Sequence, residues 1–232
     1  MKGTRDDGEH RTMSGRRNVT IAVIAVALLL TGGLLLALGT SRQQPTPPPA
    51  TDKGRAVATA QPTAQPDPPA TSSAAPDTAA LSVSRPVSIA IPSLKVSSTL
   101  EMLDLGRNRA METPRDPAKA GWYRPGAAPG ATGPAVIAGH VTWNGTPGVF
   151  FALGRLDPGD RIDVRRADGR TAEFTVDRTA RYPKDRFPTV EVYRNVGRAE
   201  LRLITCGGDY SKKDSRYTDN VVVYATLTGS HT

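Results

Sequence analysis

The sequence predicts an all-β domain that closes into a barrel, carried behind one N-terminal transmembrane helix and a proline-rich linker. Three observations carry this expectation. After residue 83 the apolar segments are short and punctuated by Pro, Gly and Asp-Gly; no long amphipathic helical pattern appears there; and one uncharged apolar run occupies residues 19–38. Regular short strands with few helices favour a closed or nearly closed barrel over a βαβ fold.

The elements follow in chain order. Residues 1–18 carry Lys2, Arg5, Arg11, Arg16 and Arg17 and read as a cytoplasmic segment. The apolar run that follows is broken only by Thr20, Thr31, Gly32 and Gly33. Twenty residues at about 1.5 Å each give roughly 30 Å of helix, enough for a bilayer core. Residues 19–39 are therefore assigned as a signal anchor, with the N-terminus inside and the rest of the chain outside. Cleavage after Ala37-Leu38-Gly39 and a twin-arginine signal at Arg16-Arg17 are the alternative readings. Residues 40–82 are rich in Pro, Ala, Thr and Gln, with Pro47-Pro48-Pro49 and Pro68-Pro69. Such a stretch has too little apolar surface to offset chain ordering, and reads as a disordered, extended spacer.

Residues 83–232 have the length of one domain. Strands are expected at 87–91, 135–139, 161–165, 171–176, 200–205 and 220–227, and one short helix near 148–153. Ala167-Asp168-Gly169-Arg170 is a hairpin signal, since Asp-Gly accepts the positive φ of a tight turn. Leu156-Asp157-Pro158-Gly159-Asp160 reads as a turn, since Pro presets φ and Gly accepts positive φ. The net charge of +8 is dispersed, with no Lys/Arg-rich run interleaved with aromatics, so no nucleic-acid partner is expected. One cysteine and three histidines provide no metal-ligand spacing, and Asp209, Asp214 and Asp219 lack that of an EF-hand. No cofactor motif is present.

Chemistry concentrates at the only cysteine, Cys206, in Leu203-Ile204-Thr205-Cys206-Gly207-Gly208. It ends an apolar strand and is followed by two glycines. Outside the cytoplasm an unpaired thiol is either an inert core residue or a reactive group. The one histidine of the domain interior, His140, sits in Ile137-Ala138-Gly139-His140-Val141-Thr142, also at a strand end beside a glycine. Thiol nucleophiles need a cation or base beside them, and a donor for the developing oxyanion. Arg216, in the loop after Cys206, is the candidate for the latter role. Asn220 is the fallback, Arg202 a weaker substitute, and the Gly207 and Gly208 amides further donors.

These residues carry a resemblance. Leu201-Arg202-Leu203-Ile204-Thr205-Cys206-Gly207-Gly208 resembles the Leu-x-Thr-Cys signature of sortases, and Ala138-Gly139-His140 their histidine motif. Ile89-Ala90-Ile91-Pro92, Gly121-Trp122-Tyr123, Pro183-Lys184 with Phe187-Pro188-Thr189, and Asp219-Asn220-Val221-Val222-Val223-Tyr224-Ala225 are similar to family landmarks. The likeness covers about residues 85–228 and is nearest to the actinobacterial class E/F group, class F in particular. It implies an eight-stranded β-barrel and a cysteine transpeptidase that uses no cofactor. Cys206 would form an acyl-thioester with a Leu-Pro-x-Thr-Gly-like sorting signal, cut between Thr and Gly. His140 would exchange protons, and Arg216 would hold the substrate and stabilise the oxyanion. The implied partners are surface proteins bearing a C-terminal sorting signal and a cell-wall precursor amine, with the membrane reached through the anchor. The sequence departs from class F at Thr218, where relatives carry arginine before Asp-Asn; Arg216 lies two residues earlier. A hydrolase of the same motif, or an idle anchored peptide-binding domain, are the competing readings.

Overall fold

The structure, a computed structural model, describes residues 44–50, 78–107 and 109–232. The expected cytoplasmic segment, the signal anchor at 19–39 and most of the linker lie outside the described residues. Among the described residues, no helix is long and apolar enough to cross a membrane.

Among the described residues ten strands follow one another: β1 (Pro86–Ile91), β2 (Val96–Leu103), β3 (Ala120–Tyr123), β4 (Gly133–Gly139), β5 (Thr142–Trp143), β6 (Thr146–Pro147), β7 (Arg161–Arg166), β8 (Thr171–Pro183), β9 (Ala199–Ser211) and β10 (Arg216–His231), with a helix, α1 (Thr189–Tyr193), between β8 and β9. Eight of them close a barrel in the order β1-β2-β3-β4-β9-β10-β8-β7, and β5 pairs with β6 apart from it. The β2–β3 and β4–β9 pairs are parallel and the rest antiparallel.

Alternation of side chains along each strand divides the barrel into two faces. Ala135, Ile137, Leu201, Leu203, Val223 and Ala225 point inward with Phe150, Leu153, Ile162 and Phe174. The outward residues Val136, Ala180, Ile204, Val222 and Tyr224 form a second cluster beneath Val192 of α1. That second, covered face carries the candidate site.

The expected hairpin is present. Arg166 N–H donates to the Arg170 carbonyl at 2.8 Å, and Gly169 has φ +83°. Strands expected at 171–176, 200–205 and 220–227 extend well past those limits. β2 escaped sequence reading because Val-Ser-Ser-Thr-Leu-Glu-Met-Leu has little apolar alternation. Pairing on both edges holds it instead, and Ala120 N–H donates to Ser98 Oγ at 3.0 Å. β3 is missed because it has only four residues. Where a helix is expected at 148–153, the chain forms turns and a 3₁₀ turn at Leu153–Arg155. Phe150, Leu153 and Leu156, spaced by three, are all fully buried, which suits three residues per turn.

Two stretches of the expected linker lie against the barrel. Leu81 N–H donates to the Gly130 carbonyl at 2.7 Å, and the buried Arg166 guanidinium donates to the Ser82 carbonyl at 2.5 Å. Residues 44–50 lie close to Cys206.

Candidate active site

The parallel β4–β9 pair explains why the thiol and the imidazole belong together. Ala138 pairs with Ile204, an offset of 204 − 138 = 66 residues. The same offset separates His140 from Cys206, since 206 − 140 = 66, so each lies two residues past the last pair on its strand. Neighbouring strands run about 4.8 Å apart. On the other side of β9, Cys206 pairs with Asn220, which pairs in turn with Tyr182. His140, Cys206, Asn220 and Tyr182 thus form one row across the outward face.

The imidazole is held from several sides. Its Nε2 lies 2.8 Å from the Pro114 carbonyl. A carbonyl only accepts, so Nε2 carries the proton and donates in this bond. The Trp143 ring meets the imidazole edge-on, with centroids 5.0 Å apart. Phe150 N–H donates to the His140 carbonyl at 3.0 Å. Gly148 passes so close that a Cβ there would lie 2.4 Å from that carbonyl oxygen, and a Cβ at Gly139 would lie 2.6 Å from the Phe150 ring. Thr205 Oγ1 donates to the Gly139 carbonyl at 2.8 Å, tying together the residues that precede Cys206 and His140.

The two glycines after Cys206 have packing reasons. A Cβ at Gly207 would lie 2.7 Å from Val221 Cγ2. Gly208 has φ +74° and stands at an irregularity of the β9–β10 ladder, where three steps on β9 oppose two on β10.

The half-buried Cys206 sulfur accepts a hydrogen bond from Lys184 Nζ at 3.3 Å. Lys184 was legible only as part of a family landmark, because a lysine 22 residues away along the chain carries no spacing signal. It follows β8 directly, and β8 reaches the site only through β10. Replacing Lys184 by methionine is expected to slow alkylation of Cys206 at pH 7 by about tenfold, on the scale of a charge-assisted bond of about 1.5 kcal/mol. Lys184→Arg retains most of the rate; timed iodoacetamide labelling followed by intact mass measures both.

Arg216 and Asn220 line the same cleft as Cys206 and His140. Arg216 is exposed and begins β10, four residues before Asn220. At about 3.3 Å per residue that places its backbone roughly 13 Å along the strand from the row of Cys206. Arg202 does not line the cleft. It is buried against Glu200, with its guanidinium 4.5 Å from the Tyr224 ring centroid. Tyr217 joins β10 to β5 through a 2.9 Å hydrogen bond between its hydroxyl and Thr142 Oγ1. Burial, with a smaller contribution from the Cys206 charge, raises the Tyr217 phenol, so it stays protonated and able to donate.

The cleft encloses about 1230 Å³. Val136, Ala138 and Ile204 line it beside the row, with the Tyr123, Phe187 and Tyr193 rings around them. An apolar trough ending at a thiol, an imidazole and an ammonium suits an extended peptide with apolar side chains. Among the described residues there is no His/Cys/Asp/Glu group able to hold a metal ion.

The family described as Sortase domain matches residues 89–228. Among solved structures, sortase A from Corynebacterium diphtheriae is 22% identical, with a TM-score of 0.50 over 62% of this chain and 62% of that one. Sortase A from Listeria monocytogenes is 24% identical, with a TM-score of 0.48 over 65% of this chain and 90% of that one. No curated protein matches the chain.

Proposed function

The chain belongs to the sortase family, and on that premise we propose that it is a membrane-anchored cysteine transpeptidase of the class E/F type. It cuts a Leu-Pro-x-Thr-Gly-like sorting signal and passes the carried protein to a cell-wall amine. The observation that supports this most is the pairing of β4 with β9, which brings the ends of two strands, and with them His140 and Cys206, to one level. The apolar run at 19–38 and the basic residues before it support anchoring with the barrel outside the cell.

In the proposed mechanism the Cys206 thiolate, held by Lys184, attacks the Thr carbonyl carbon. The carbonyl electron pair moves to oxygen, giving a tetrahedral oxyanion. Asn220, level with the sulfur, donates to that oxygen, while Arg216 holds the substrate backbone further along the cleft. The C–N bond breaks, and the His140 imidazolium gives its proton to the departing glycine amine. This leaves an acyl-thioester on Cys206. An incoming amine attacks the thioester carbon, His140 accepts its proton, and the thiolate leaves. Transfer of the acyl group restores the starting state, and no cofactor is required.

The test uses a sorting-signal peptide with and without an amine such as oligoglycine. A rising fraction of amide product with amine concentration is the expected result. Free acid alone at every amine concentration overturns transfer to that acceptor and leaves hydrolysis. No cleavage, with Cys206 unmodified, favours an idle peptide-binding domain. Within the proposed mechanism, Asn220→Ala is expected to lower kcat by about 10²-fold. Arg216→Ala is expected to raise KM with a smaller change in kcat, because it holds substrate in ground and transition states alike. Steady-state kinetics on the two variants separate these roles, and a kcat loss confined to Arg216→Ala reverses them.

A further inference from the structure

Residues 44–50, Gln-Pro-Thr-Pro-Pro-Pro-Ala, show a burial pattern with a period of three. Pro47 and Ala50 are buried and Gln44 half-buried, Pro45 and Pro48 are intermediate, and Thr46 and Pro49 are exposed. A repeat of three with one buried face is the signature of a polyproline II helix laid in a groove, and Pro fixes the φ this conformation needs. That helix makes no internal hydrogen bonds, so its carbonyls are free for the groove. The Pro45 carbonyl accepts from the Tyr217 hydroxyl at 3.3 Å.

The seat of this segment is specific. Residues 46–50 line a groove of about 300 Å³ with Val141, Phe151, Arg181 and the run from Thr205 to Asp209, Cys206 among them. At its far end Ala50 packs on Gly154, where an added Cβ would lie 3.0 Å from the Ala50 Cβ. At its near end Gln44 lines the main cleft, with its side-chain Oε1 buried and without a hydrogen-bond partner. The segment therefore passes Cys206, with one end in the peptide cleft and the other over the 3₁₀ turn at Leu153–Arg155. Tyr217, which holds Pro45, and Thr142, which bonds the Tyr217 hydroxyl, belong to the wall beside His140.

We propose that the barrel face under residues 44–50 is a polyproline-II peptide site, and that this segment of the chain's own linker covers it as a tethered competitor. A substrate peptide reaching Cys206 must first displace the strap. The linker is then both a spacer and a brake on the thiol. Proline rigidity lowers the ordering cost of docking, and tethering makes docking intramolecular. A strap closed nine-tenths of the time reduces apparent affinity for a competing peptide about tenfold. The mechanistic context rests on the transpeptidase reading, but the occupancy itself does not.

The test uses the full chain and the double variant Pro47→Asp/Ala50→Arg, which alters only the linker. Labelling of Cys206 by a bulky maleimide is timed in both, with circular dichroism confirming that each is folded. The double variant is expected to label about tenfold faster. A synthetic peptide of residues 44–50, added in excess to the double variant, is expected to slow labelling again, whereas the peptide carrying both substitutions has no effect. Equal labelling rates in the two proteins, or no protection by the natural peptide, overturn the proposal. Labelling reads thiol access rather than turnover, so its failure leaves the transpeptidase reading intact. Loss of that reading likewise leaves the labelling result standing.

Discussion

Replacing Cys206 by alanine is expected to abolish product formation, by about 10⁴-fold or more in kcat, while leaving the barrel folded. Losses on that scale follow removal of a covalent nucleophile, because hydrogen-bond donors and binding alone supply only the residual rate. The fold survives for reasons visible around the residue. Cys206 is half-buried on the outward face, while the inward contacts of β9 come from Leu201 and Leu203. Shortening a small, partly exposed side chain changes stability by less than about 1 kcal/mol. Kinetics with a sorting peptide, paired with thermal melts, check both halves of this prediction. An active Cys206→Ala removes the nucleophile assignment.

His140→Gln is expected to lower kcat/KM by about 10²- to 10⁴-fold, the range for loss of a positioned proton-transfer group. Glutamine retains a side-chain N–H for the Pro114 carbonyl, and Gly148 and Phe150 address the backbone of residue 140 rather than its ring. Local structure is therefore preserved and the loss reads the chemistry. The loss falls on both thioester formation and its resolution, since the imidazolium that protonates the leaving amine is restored by a proton taken from the incoming amine. Single-turnover kinetics with and without amine resolve the two steps. A variant that keeps wild-type rates in both contradicts the role given to the imidazole.

Much of this site was legible because its chemistry is sparse. With one thiol in the chain and, apart from His231 at the extreme tail, one imidazole in the domain, pairing them needed no geometry, and the parallel register of β4 and β9 explains why their spacing fits. The barrel was legible through turn residues such as Asp168-Gly169, and less so where pairing alone makes a strand. β2, with Ser97, Ser98, Thr99 and Glu101, has too little apolar alternation to read from sequence. The number of barrel strands came from family resemblance rather than from pattern. Lys184 and the strap at residues 44–50 were hidden for a shared reason. Each reaches Cys206 through contacts distant in sequence, and neither a lone lysine nor a proline run carries a local signal of what it will touch. The division between Arg216 and Asn220 was open in the sequence because it depends on register: Asn220 is paired with Cys206, and Arg216 enters four residues earlier, beyond the irregularity at Gly208.

The most direct test of the central claim, that Cys206 is the acyl carrier, is intact-protein mass spectrometry of the full chain after brief mixing with a sorting-signal peptide in the absence of amine. The account predicts an adduct equal to the acyl part of the peptide up to its threonine, mapped to Cys206, released by hydroxylamine and absent from Cys206→Ala. Product formation with no such adduct, or an adduct that persists in Cys206→Ala, would contradict it.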